Sequence, residues 1–134
     1  MRILIIEDSE KVRERIESMV SDIPGIEVVG YAVDEQGALE RVNALLPDVV
    51  TLDLNLRKGS GIGVLKAIKK NHPGIKVMVL ANDDGRYYEE ACMRAGADCF
   101  FDKTFQFTRA YSALWLWSNA GRSGSLPLSP APAE

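Results

Sequence analysis

Five short apolar runs recur along the chain: RILII (2–6), IEVVGYA (26–32), DVVTL (48–52), IKVMVLA (75–81) and DCFFD (98–102). Several are continuous rather than alternating, the pattern of strands covered on both faces. Between them the apolar period changes. Val12, Ile16, Met19 and Val20 form the i, i+4, i+7, i+8 stripe of an amphipathic helix. A second stripe, Ala38, Leu39, Val42, Leu45 and Leu46, stops at Pro47. A third, Ile62, Leu65 and Ile68, stops at Asn71-His72-Pro73-Gly74. Tyr88, Ala91, Cys92 and Ala95 give a fourth closed by Gly96, and a fifth covers roughly 105–119. Strand and helix in alternation predict a doubly wound α/β domain: a parallel sheet, right-handed crossovers and helices on both faces. In such sheets function gathers at the carboxyl ends of the strands.

Composition narrows the class. The 134 residues suit one domain with a core of its own. A net charge of −3 gives no bulk attraction to nucleic acid or to an anionic membrane. No apolar run approaches the length of a membrane span. The opening MRILIIEDSE turns acidic after five residues, so no signal peptide is expected. Cys92 and Cys99 match no metal-binding spacing and read as reduced core residues of a cytoplasmic protein.

The strand ends carry the chemistry. The first strand runs into Glu7-Asp8, the third into Asp53, and the fifth ends at Asp102-Lys103. Any one of these acids alone could simply cap the helix that follows it. With the first and third strands adjacent, Glu7, Asp8 and Asp53 meet in one crevice and Lys103 joins them. Two carboxylates about 4 Å apart repel by roughly 4 kcal/mol at an effective dielectric near 20, so the set requires compensation. Lys103 supplies one positive charge. A few hard oxygen donors, with water completing the shell, suit Mg²⁺ better than Ca²⁺ as the source of the rest.

ILIIEDSEKVR, VVTLDLNL and AGADCFFDK together resemble the response-regulator receiver domain of two-component signalling, over about residues 1–119. The resemblance implies a five-stranded, flavodoxin-like (βα)5 sheet of strand order 2-1-3-4-5. It implies that Asp53 is the phosphoacceptor, served by a histidine kinase or histidine phosphotransfer protein. Glu7, Asp8, Asp53 and the backbone carbonyl of Asn55 would then hold Mg²⁺, and the Lys103 ammonium would contact the phosphoryl oxygens. The switch positions fall at Ala81, Asn82 and Phe100. The implied protein signals to an unknown downstream partner by protein contact. Its chemistry is on itself, so it is not read as an enzyme.

The sequence departs from the family pattern in places. Ala81 stands where a Thr or Ser hydroxyl usually bonds the phosphoryl group, and Asn82 follows it. Arg57 stands where proline is frequent, a change expected to be local. Asp83 lies where the family tunes phosphoryl lifetime. Gly59-Ser60-Gly61-Ile62-Gly63 fails the dinucleotide fingerprint and reads as a flexible turn. His72, the only histidine, reads as punctuation at a helix end. Lys66, Lys69 and Lys70 read as a solvated helix face.

The fifth helix is apolar nearly all round. Trp115 and Trp117, two apart, cannot both face inward, so one should be exposed, covered by the tail or in an interface; a homodimer through this helix is one such interface. Residues 120–134, rich in Gly, Ser, Pro and Ala, read as a disordered or polyproline-like tail, so the chain is expected to be a stand-alone receiver unless it was cut from something longer. Two rivals remain. One is a phosphorylation-uncoupled binding or dimerisation module, which Ala81 favours. The other is a phosphohydrolase or phosphotransferase acting on small molecules, which needs a substrate pocket and usually a second acid just after the nucleophile, where this chain has Leu54 and Asn55.

Overall fold

The computed structural model describes residues 1–82, 87–103 and 106–120. Its elements follow the alternation read from the sequence: β1 (Arg2–Ile6), α1 (Glu10–Ser21), β2 (Glu27–Ala32), α2 (Glu35–Leu45) and β3 (Val49–Asp53). They continue with α3 (Gly61–Asn71), β4 (Lys76–Ala81), α4 (Glu89–Arg94), β5 (Cys99–Asp102) and α5 (Phe107–Asn119). All pairings are parallel and the strand order is β2-β1-β3-β4-β5, the flavodoxin-like arrangement. Each predicted strand is present to within one residue at either end. Residue 105, the predicted start of the fifth helix, lies outside the described residues, as do Asp83 and residues 121–134 of the predicted tail.

The continuous apolar runs have a simple cause: alternate side chains feed two cores. Leu4, Ile6, Val50, Leu52, Val77, Val79, Ala81 and Phe100 meet Ala38 and Val42 of α2, Val64, Leu65 and Ile68 of α3, and Cys92 of α4. Ile3, Ile5, Val49, Met78 and Leu80 meet Ile16 and Val20 of α1, and Ala110 and Leu114 of α5. Burying each Val, Leu, Ile, Met or Phe side chain among them stabilises the fold by roughly 1.5–3 kcal/mol. Three of the five helix starts are set by side-chain caps: Ser9 accepts from Val12 N–H, Asp34 from Gly37 N–H and Ser60 from Gly63 N–H.

Three local readings change. Trp115 and Trp117 are both partly buried against the second core, flanking the Leu114 line, and it is Leu116 between them that is 46% exposed. Lys69 does not face water: its ammonium lies 2.9 Å from Asp98 Oδ2 and donates to the Ile75 carbonyl at 2.7 Å. Tyr88 sits ahead of α4 and is half exposed rather than on a buried helix face, while Cys92 is buried and Cys99 only partly so.

Thr51, on β3 two residues before Asp53, is buried with its hydroxyl oxygen lacking a hydrogen-bond partner among the described residues. Leaving such a group unsatisfied costs about 1–3 kcal/mol, so Thr51→Val is expected to raise unfolding stability by about 1 kcal/mol. Urea titration of the two proteins measures it, and a destabilised valine variant contradicts the assignment.

Candidate functional site

The site is assembled by strand geometry. β1 and β3 are neighbours in register, Ile6 beside Leu52, so the residues that follow them emerge side by side. Glu7 is fixed by its own N–H donating to the Ala32 carbonyl at 2.9 Å, which carries the β1–β2 ladder one residue past the strand. Lys103 is fixed likewise, donating its N–H to the Ala81 carbonyl at 2.8 Å beyond β5. Asp53 is the last residue of β3.

These three side chains meet below the surface. Glu7 is 1% exposed, Asp53 2% and Lys103 8%. The Lys103 ammonium lies 2.9 Å from Glu7 Oε1 and 3.1 Å from Asp53 Oδ1. Glu7 Oε2 accepts from Ser9 N–H at 3.1 Å, and Asp53 Oδ1 accepts from Asn55 N–H at 3.1 Å. Asp8 is less buried, yet one carboxylate oxygen from each of Glu7, Asp8 and Asp53 lies within 4.8 Å of the others.

Around this pit three guanidinium groups reach main-chain carbonyls of the site residues. Arg13 Nη1 lies 3.4 Å from Glu7 O, Arg57 Nη2 3.5 Å from Asp8 O, and Arg15 Nη1 3.5 Å from Lys103 O. Arg13 also sits over the Tyr31 ring at 5.3 Å and Arg15 over the Phe107 ring at 4.1 Å. None of the arginines was singled out for the site from sequence except Arg57, and that only as a local change.

Ala81 and Phe100 lie in the other core, on the α2, α3 and α4 side, and both are buried. Asn82 is exposed beyond the end of β4. The acids and the lysine thus form one constellation, while Ala81 and Phe100 line the packing beside it.

Burial drives the electrostatics. Desolvation pushes the Glu7 carboxyl up to about 7, against the opposing hydrogen bond from Lys103 and with added repulsion from Asp53. Desolvation also raises Asp53, although Lys103 and the Asn55 N–H work against it. For Lys103 burial works to lower the ammonium, but the Asp53 and Glu7 carboxylates outweigh it and hold it above its ordinary value. Three carboxylates against one ammonium leave the pit short of positive charge. All-oxygen donors this close together and only partly compensated fit a hard divalent cation such as Mg²⁺.

The family description "response regulator receiver domain" matches residues 3–114. The chain belongs to the response-regulator receiver domain family. This receiver domain is 32% identical over 113 residues to chemotaxis protein CheY of Thermotoga maritima, covering 84% of the chain and 93% of that protein. It is 34% identical over 143 aligned positions to a protein-glutamate methylesterase/protein-glutamine glutaminase of Alkalilimnicola ehrlichii, covering 99% of the chain but 36% of that protein. The chain spans between 20% and 36% of the length of the first methylesterase relatives it matches. Its fold superposes on the response regulator domain of Thermotoga maritima CheB with a TM-score of 0.76 at 28% identity, covering 89% and 93% of the two chains. Receiver domains work in two-component signalling with histidine kinases or phosphotransfer proteins and bind Mg²⁺ at an acidic cluster of this kind. No helix among the described residues is long and apolar enough to cross a membrane.

Because the folded Glu7 carboxyl holds its proton up to about 7 while the unfolded one releases it near 4.5, folding takes up a proton between those values. Stability from this group therefore falls as pH rises through that window. In the presence of chelator, the wild type should lose stability relative to Glu7→Gln as pH rises from about 4.5 to about 7. Added Mg²⁺ should restore most of it at pH 8. Parallel pH profiles of the two proteins in chelator would refute the assignment.

Proposed function

We infer that Asp53 accepts a phosphoryl group from a phosphohistidine donor in a Mg²⁺-dependent reaction, and that the protein signals by protein contact. The observation that carries this is the buried Asp53 carboxylate paired at 3.1 Å with Lys103 beside two further acids. Glu7, Asp8 and Asp53, with the backbone carbonyl of Asn55, would hold the ion, which supplies charge neutralisation when bound.

The residues themselves divide the work. The Lys103 ammonium and the Asn55 N–H both take the Oδ1 oxygen of Asp53. In this mechanism Oδ2 attacks phosphorus: the O–P bond forms as the N–P bond of the donor breaks, and the electron pair returns to the imidazole. Lys103 then follows the negative charge onto the transferred oxygens, a move open to it because its ammonium already bridges Glu7 and Asp53. The chemistry is on the protein's own side chain, so the domain is a signalling component rather than an enzyme, and a cytoplasmic one.

The phosphorylation-uncoupled alternative keeps one specific support. Ala81 is fully buried at the end of β4 and its methyl group offers no hydroxyl to the phosphoryl oxygens. Ala81→Thr is expected to enlarge the structural response to a phosphoryl mimic, read as amide chemical-shift changes around Phe100. Equal responses in the two proteins would show that position 81 does not limit the coupling.

Mass spectrometry after incubation with acetyl phosphate and Mg²⁺ tests the main reading. One phosphoryl group is expected on the wild type and none on Asp53→Ala. Uptake by the alanine variant, or none by the wild type, overturns it.

A further inference from the structure

The loop between β3 and α3 follows Asp53 directly, and its Asn55 N–H holds the Asp53 carboxylate. What holds the loop lies elsewhere in the chain. Glu35, the first residue of α2, donates its N–H to the Lys58 carbonyl at 2.9 Å and accepts at Oε1 from the Ser60 N–H, also at 2.9 Å. The Arg57 N–H donates to the Val33 carbonyl at 3.3 Å, two residues before Glu35. On the other side of the loop, the Arg57 guanidinium reaches the Asp8 carbonyl.

The glycine-rich stretch has its explanation in the same contact. A Cβ on Gly59, whose φ is +91°, would stand 2.3 Å from Glu35 Cβ, and one on Gly63 would stand 2.8 Å from Glu35 Oε2. A Cβ on Gly61 would stand 2.5 Å from the Asp53 carbonyl oxygen. The stretch read from sequence as a flexible turn is therefore a socket: it admits the Glu35 carboxylate at the start of α3 and seats that helix against the Asp53 backbone. A carboxylate at a helix start is favoured by the exposed N–H groups there.

We propose that Glu35 is a positioning residue for Asp53: it fixes the β3–α3 loop so that the Asn55 N–H stays on Asp53 Oδ1. This rests on Asp53 being the phosphoacceptor, and the experiment separates the two claims. Amide hydrogen exchange at Asn55, read by NMR, and the rate of phosphorylation by acetyl phosphate are compared in wild type, Glu35→Ala, Glu35→Gln and Val42→Ala. Val42 is buried in the same helix, seven residues beyond Glu35, makes no side-chain hydrogen bond to the loop, and serves as a destabilised control.

Glu35→Ala should exchange the Asn55 amide roughly tenfold faster and slow phosphorylation by a similar factor, the scale of one lost charge-assisted hydrogen bond. Glu35→Gln keeps the acceptor for Ser60 and should stay close to wild type. Val42→Ala should lower the melting temperature and move neither readout. Unchanged Asn55 exchange in Glu35→Ala, or an equal change in Val42→Ala, overturns the proposal. A wild type that protects Asn55 in a Glu35-dependent way yet takes up no phosphoryl group overturns the phosphoacceptor reading and leaves the Glu35 clamp on Asp53 standing.

Discussion

The Lys103 ammonium between the Glu7 and Asp53 carboxylates is the contact on which the upper end of this molecule depends. Burying a carboxylate is costly, and two of them side by side are more so; a single ammonium within 3.1 Å of both makes the arrangement tenable. It also ties together elements far apart in the chain, since Glu7 follows β1, Asp53 closes β3 and Lys103 follows β5. With Asp8 included, three carboxylates face one ammonium, a shortage of positive charge that suits a hard cation.

Much of this was legible in the sequence because local and global signals agree. The strands read as unbroken apolar runs because each side chain, up or down, enters one of two cores. The helix starts at Ser9, Asp34 and Ser60 have local capping chemistry. The acids and lysine could be grouped because an open parallel sheet brings its strand ends to one edge. Two helices were harder. α4 is six residues long and has no side-chain cap, so periodicity placed Tyr88 within it when that residue precedes it. In α5 the two tryptophans flank the buried line and share partial cover, an outcome that a two-sided view of a helix does not anticipate.

The rest escaped because it is long-range and polar. Nothing local pairs Lys69 with Asp98, 29 positions away, or Glu35 with Ser60, 25 positions away. The trace of the second contact was present as three glycines around a serine, but a glycine can mark a bend or a vacancy for someone else's side chain, and only the fold tells which. The unequal burial of Glu7 and Asp8 has the same origin: both carboxylates reach one cluster, but only Glu7 is paired with Lys103 beneath the surface.

The Lys69 bridge has a mechanical meaning. At the amino end of the sheet, Asp98 accepts from Lys69 and from the Val77 N–H at 2.8 Å, while Lys69 also grips the Ile75 carbonyl. α3, β4 and the start of β5 are thus riveted together at the pole farthest from the acids. The two ends of the sheet are therefore held by different chemistry: one ion pair with two backbone hydrogen bonds at the foot, and one ammonium shared by two buried acids at the tip.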